Sequence, residues 1–338
     1  KRINPASLLE KLRNKPKVLI TMHRGPDGDA MGSALALDGF LKSFEIKPVV
    51  VAPDDFPSFL KWLPGNEDVL IYENKSQEID EIIKNMDLIF CLDFNHPGRV
   101  AKFQNTLTAA EAPKLVIDHH RDPDAFADEY YVNQEASSTA ELIYHLIEEM
   151  GETDRIDGEV AICLYTGLVT DTGSFRFDSV TPDVLRIAAE LMKKGIDHTK
   201  VYDEIYDNST LDRLRLRGYA LSEKTILLED SGAAYISLTN KELERFNFHP
   251  GDTEGLVIYA LGLAGVHVAG FFYERDGYVK ISLRSKGKVD VNEVASAYFN
   301  GGGHKNAAGG RSSDSLEETV KRFENIARNG FKIEQVEE

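Results

Sequence analysis

The segment HRGPDGD places His23, Asp27 and Asp29 on one short loop, after the apolar run KVLITM and at the start of the helical stretch AMGSALAL. Gly25, Pro26 and Gly28 allow that loop to turn sharply, so an imidazole and two carboxylates can converge on one or two cations. Three further groups of the same chemistry end separate segments: Asp93 in CLDFNHPGR, Asp118, His119 and His120 in VIDHHRDP, and Asp171 in GLVTDTGSF. Carboxylate and imidazole without thiolate suit Mn²⁺ or Mg²⁺ better than Zn²⁺, Co²⁺ or Fe²⁺. The number of ligands implies two metals. A cation pair about 3.5–4 Å apart can hold a hydroxide in line with phosphorus and neutralise the charge that develops on a phosphate ester. Taken singly, an Asp after a strand is more often a helix cap or a turn residue; the joint pattern reverses that reading.

The elements that must position these groups alternate. Short β-branched runs at 17–22, 48–52, 87–93 and 114–118 are separated by amphipathic stretches, which predicts a parallel sheet covered by helices on both faces. Three runs end at His23, Asp93 and Asp118, and open α/β sheets place ligands at the C-terminal ends of their strands. From Ser138 to Tyr206 the pattern is mainly helical, and Ser138–Glu141 fits a capping box that opens a helix. The expected organisation is an α/β parallel-sheet domain over 1–207, a helical linker over 208–225, and a smaller α+β domain over 226–338 that ends in an amphipathic helix near 316–327. Residues 255–272 lack charge, yet four glycines, His267 and the Asp276-Gly277 turn predict a buried helix and a hairpin in place of a membrane span. Arg99 follows Asp93 on the same rim, where a phosphate contact and an ordinary ion pair are equally supported.

Composition narrows the function. With 42% apolar and 28% charged residues the 338-residue chain is an ordinary globular protein, and 56 acidic against 39 basic side chains give a net charge of −17. Such a field repels long duplex nucleic acid, so positive charge for an anionic substrate must be supplied locally. Cys91 and Cys163 lie in apolar runs and read as packed thiols. The opening KRINPASLLEKLRN lacks the order of a signal peptide and predicts a helix capped by Asn4, so the expected location is cytoplasmic, with no membrane partner.

HRGPDGD, CLDFNHPGR, DHH and GLVTDTG, in this order and spacing, resemble the four motifs of the DHH phosphoesterase superfamily. FNGGGHKNAAGG at 299–310, with SLRS before it, resembles the DHH-associated substrate domain, and the likeness covers almost the whole chain, closest to RecJ-like, NrnA-type nanoRNases that also dephosphorylate pAp. The resemblance implies that His23, Asp27 and Asp93 bind one Mn²⁺ and that Asp29, Asp93, His119 and Asp171 bind the other, with Mg²⁺ or Co²⁺ as substitutes. It implies that His120 contacts the scissile phosphate and protonates the leaving oxygen, with Asp118 behind the imidazoles. Arg284, Ser285, Gly302, Gly303 and His304 would grip the substrate. The implied activity is hydrolysis of short single-stranded oligoribonucleotides to mononucleotides through a bridging hydroxide, with pAp as a further substrate and a homodimer suggested. The alternative is a phosphodiesterase of cyclic or linear dinucleotides.

Overall fold

The computed structural model describes residues 1–121 and 123–332, so the last six residues of the expected second domain lie outside it. It divides into two compact units, residues 1–208 and 209–338.

In the first unit, strands β1 (Val18–Met22), β2 (Val49–Ala52), β3 (Leu70–Ile71), β4 (Leu88–Leu92), β5 (Lys114–Asp118) and β6 (Glu129–Val132) form one parallel sheet in the order 3-2-1-4-5-6. The four expected runs are its centre. The edge strands β3 and β6 are added by pairing: β3 is two residues long and β6 is only half-buried, so neither carries the continuous apolar signal of β1 or β4. Helices α1 (Pro5–Arg13), α2 (Gly28–Lys42), α3 (Tyr72–Ile83), α4 (Gln104–Ala109), α5 (Thr139–Glu149), α6 (Gly158–Asp171), α7 (Pro182–Lys193) and α8 (His198–Tyr202) accompany the sheet. Separate apolar cores cover its two faces. Asn4 caps α1 through the Ser7 amide, as its sequence predicts.

Strand order reverses between β1 and β4, and in open α/β sheets a crevice forms at the C-terminal ends of such a pair. His23 follows β1 and Asp93 follows β4. Helices α2 and α6 pack closely over this point. A Cβ on Gly32 would lie 2.5 Å from the Cys163 carbonyl, and one on Gly167 would lie 2.7 Å from Asp29 Oδ1, so only glycine admits the approach that sets Asp29 against the end of α6.

In the second unit, β7 (Thr225–Leu228), β8 (Ala233–Leu238), β9 (Val268–Arg275), β10 (Tyr278–Ser285), β11 (Gly302–His304) and β12 (Ala307–Ser312) form a mixed sheet in the order 11-12-10-9-8-7. Only β8 and β9 pair in parallel. Helices α9 (Leu211–Glu223), α10 (Asn240–Arg245) and α11 (Leu256–Leu261) cover one face, and α12 (Val291–Tyr298) and α13 (Leu316–Arg328) cover the other. The helix expected over 208–225 is α9, whose Leu216 and Ala220 are fully buried in this unit's core. The uncharged stretch at 255–272 is α11 followed by the β9–β10 hairpin, turning at Asp276 and Gly277, both at positive φ. Among the described residues no helix is long and apolar enough to cross a membrane.

Candidate metal centre

Five elements, β1, α2, β4, β5 and α6, deliver the acidic and histidine side chains to the β1–β4 switch point. His23 leaves β1 with its Nδ1 2.8 Å from its neighbour's carbonyl, at Arg24, and its Nε2 3.3 Å from Asp93 Oδ2 and 3.7 Å from Asp27 Oδ2. His119, after β5, repeats the arrangement: Nδ1 lies 3.2 Å from the Ala136 carbonyl, and Nε2 lies 3.4 Å from Asp93 Oδ1, 3.3 Å from Asp171 Oδ2 and 3.8 Å from Asp29 Oδ2. A ring that donates Nδ1–H to a backbone carbonyl keeps its lone pair on Nε2, the atom that here meets the carboxylates. Two sets of donor atoms result, His23 with Asp27 and Asp93, and Asp29 with His119 and Asp171. Asp93 stands between them, one oxygen toward each histidine.

The donors fit divalent cations. Their separations slightly exceed the ~3 Å expected for adjacent ligands about 2.1 Å from one ion, and every donor is oxygen or imidazole nitrogen. The electrostatics point the same way. Burial, reinforced by the Asp93 charge, pushes the Asp29 carboxyl up to about 8, and burial with the Asp29 and Asp27 charges raises Asp171 far above the usual carboxylate range. Burial alone would lower the two histidines. Hydrogen bonds to Asp27 and Asp93 instead raise His23 to about 10, and the carboxylates around His119 hold it well above its ordinary value. Burial opposes ionisation of Asp93, but the hydrogen bonds of His119 and His23 keep it ionised well below the normal range. So much buried negative charge takes up protons unless a stronger cation replaces them.

Supporting residues that a linear reading does not single out fix this geometry. Asp29 Oδ2 accepts the Thr139 amide at 2.6 Å, and Oδ1 accepts the Ala140 amide at 2.9 Å and the Ser33 hydroxyl at 3.3 Å, so the N-terminus of α5 grips its carboxylate while Oδ2, the oxygen nearer His119, keeps a second lone pair. The buried Thr139 hydroxyl donates to Asp93 Oδ1 at 2.9 Å. Ser138 caps α5 as expected, but the return arm of the capping box is displaced: Glu141 Oε2 accepts the amide and hydroxyl of Ser137, not the Ser138 amide. Asp54, just beyond β2, accepts the Gly25 amide at 2.6 Å and holds the His23 loop. Asp93 itself sits at φ 62°, a left-handed conformation that costs about 1–3 kcal/mol and that surrounding contacts must sustain.

His120 stands at the Oδ1 edge of Asp93, 3.7 Å away, with Nδ1 held 2.7 Å from Asp118 Oδ1. Asp118 is fully buried and its Oδ2 has no hydrogen-bond partner among the described residues.

The glycine motif in the second unit forms the β11–β12 hairpin. Ser282, Gly309 and Gly302 share one cross-strand row, and Arg284, Ala307 and His304 the next. Paired residues project on the same side, so Arg284 and His304 flank a strip of glycine and alanine on the face opposite the buried Ile281 and Leu283. Gly303 has φ 149°, a Cβ there would lie 2.5 Å from the Ala307 carbonyl, and its amide donates to Asn292 Oδ1 at 2.8 Å. Gly302 has only Asn292 Oδ1 at 3.5 Å and Ser296 Oγ at 3.9 Å near such a Cβ. Ser285 is buried, its hydroxyl donating to the Val289 carbonyl and accepting from the Asn306 amide.

Comparison with known proteins agrees with the architecture. Residues 17–168 match the model of the DHH family, N-terminal domain, and residues 232–329 match that of the DHHA1 domain. The bifunctional oligoribonuclease and PAP phosphatase NrnA of Thermus thermophilus is 32% identical over 302 residues, 86% of this chain and 83% of that protein. The chain belongs to the DHH family. A solved structure of an exopolyphosphatase-related protein from Bacteroides fragilis superposes with a TM-score of 0.91 at 40% identity, covering 96% of both chains. RecJ from Thermus thermophilus in complex with Mn²⁺ shares the fold at a TM-score of 0.53 and 16% identity, over 96% of this chain and 54% of RecJ.

Proposed function

We propose that this DHH-family protein is a metal-dependent phosphoesterase that hydrolyses short oligoribonucleotides to mononucleotides and removes a phosphate from pAp. The observation that carries the reading is the convergence of His23, Asp27, Asp29, Asp93, His119 and Asp171 at the switch point of the first sheet, in a chain related over most of its length to an oligoribonuclease and PAP phosphatase.

In this reading His23, Asp27 and Asp93 would hold one cation, and Asp29, Asp93, His119 and Asp171 would hold a second. Mn²⁺ is the expected ion, in line with the RecJ complex and the sulfur-free donor set, with Mg²⁺ or Co²⁺ as substitutes. Such a pair supplies Lewis acidity and a water of lowered pKa. Thr139 and the α5 amides keep the shared and neighbouring carboxylates in place. With Nδ1 committed to Asp118, the His120 imidazole would offer Nε2 to the leaving oxygen and give it a proton. Arg284 and His304 would bind a phosphate or base of the substrate over the flat strip. Gly302 would let the substrate approach, whereas Gly303 and Ser285 support the hairpin. A net charge of −17 favours short substrates over long strands. Cytoplasmic residence and a homodimer belong to this reading and are checked by fractionation and analytical ultracentrifugation.

The test is product analysis after metal-stripped protein meets pApA, pAp and a cyclic dinucleotide, with and without Mn²⁺. Mn²⁺-dependent AMP from pApA and pAp is expected. Turnover of the cyclic dinucleotide alone would favour the phosphodiesterase alternative, and no turnover of any of them would overturn the reading.

A further inference from the structure

Arg99 lies in the loop after β4, six residues past Asp93. Its amide donates to the His96 carbonyl at 3.0 Å, and its carbonyl accepts the Arg24 amide at 2.7 Å, which ties this loop to the one that carries His23. The guanidinium is close enough to His23 for its charge to oppose protonation of that ring. In a chain with 56 acidic side chains it nevertheless has no carboxylate partner among the described residues, and its Nε is buried without a hydrogen bond. A buried, unsatisfied donor on a charged group is costly, and the planar guanidinium fork matches phosphate oxygens in pairs.

Its location distinguishes which phosphate. Asp93 Oδ1 faces His119, His120 and Thr139, whereas Asp93 Oδ2 faces His23, whose neighbour Arg24 is tied to the Arg99 backbone. In the functional reading above, the metal ligands and His120 serve the bond being broken. We propose that Arg99 binds a second, non-scissile phosphate of the substrate, so that the enzyme selects nucleotides carrying a phosphate beyond the one it cleaves. This rests on the functional reading above.

Binding that is equal in ground and transition states appears in KM and leaves kcat alone. The experiment compares wild type, Arg99→Gln and Arg99→Lys on pApA and on ApA, which lacks the terminal phosphate. Mn²⁺ binding is followed by calorimetry, and ApA affinity is also read as inhibition of pApA cleavage. For Arg99→Gln the KM for pApA is expected to rise about 10- to 100-fold, the range of a lost charge-assisted hydrogen-bond pair. Its kcat, its affinity for ApA and its Mn²⁺ binding should match wild type, and Arg99→Lys should recover part of the loss. An unchanged KM for pApA, an equal loss on both dinucleotides, or a fall in kcat or Mn²⁺ binding would overturn the inference. If the wild type cleaves neither dinucleotide, the functional reading fails and this inference with it. Wild-type cleavage with an indifferent Arg99→Gln variant sinks the inference alone.

Discussion

Glycine serves both the first unit's metal centre and the second unit's β11–β12 hairpin, with opposite results. In the first unit, Gly32 and Gly167 let α2 and α6 approach until Asp29 is pressed among other charges, and the centre is buried, crowded and negative. In the second, glycines let strands meet backbone to backbone and leave a flat strip flanked by Arg284 and His304. One arrangement stores a demand for cations, and the other leaves room for an anion. If the proposed function holds, an acidic protein handles a phosphate ester by concentrating negative charge where cations would sit and offering positive charge elsewhere to the rest of the substrate.

The largest effect should come from the residue that both donor sets share. Asp93→Ala is expected to lower kcat/KM for pApA by roughly 10³-fold or more, since metal-assisted charge stabilisation is worth several kcal/mol. Steady-state kinetics at saturating Mn²⁺ checks it, and a variant within tenfold of wild type would deny the crowded centre its role. Next comes the support layer. Thr139→Val removes the hydroxyl on Asp93 while keeping the shape, and should weaken Mn²⁺ binding about 10- to 100-fold, with Thr139→Ser restoring most of it.

The hairpin offers a sharper contrast within one motif. Gly303→Ala forces a side chain into a left-handed position against the Ala307 carbonyl and should destabilise the second unit by about 1–3 kcal/mol in denaturant unfolding. Gly302→Ala should leave stability unchanged and raise KM for pApA instead. Equal destabilisation by both would reduce the strip to a folding device.

A further contrast lies in the pH dependence of the metal-free protein. His23 is raised from 6.5 to about 10 in the fold, so its stabilising contribution is complete below pH 6.5 and disappears as pH rises through 10. Asp29, raised from 3.8 to about 8, acts in the same direction between those values. The melting temperature without metal should therefore fall from pH 6.5 to 9, and saturating Mn²⁺ should flatten the slope by replacing the protons.

Much of this was legible in the chain. The four β-branched runs, each buried along its length or nearly so, announced the centre of the first sheet, and their terminal His and Asp residues announced the rim. Asp276-Gly277 announced the hairpin after the uncharged stretch. What stayed hidden depends on approach in space. Thr139 and Ala140 reach Asp29 across more than a hundred residues, and the same letters read equally well as an ordinary capping box. Asp54 looks like any loop carboxylate until β2 places it under the His23 loop. Gly303 and Ser285 read as substrate contacts beside Gly302, and only the Asn292 and Asn306 side chains show that they also hold the hairpin. For Arg99, linear sequence left ion pair and phosphate contact equal, and only the folded structure shows that its Nε is buried with no hydrogen-bond partner among the described residues.

Metal stoichiometry is the decisive property of the proposed shared two-cation centre. Metal-stripped wild-type protein and the Asp93→Ala variant should be titrated with Mn²⁺ by calorimetry, with free Mn²⁺ followed by electron paramagnetic resonance. Two ions per chain, bound with proton release that grows toward lower pH, and loss of tight binding at both positions in Asp93→Ala are the predicted result. A wild-type protein that binds one ion or none, or a variant that still binds two with unchanged affinity, would contradict the shared two-cation centre.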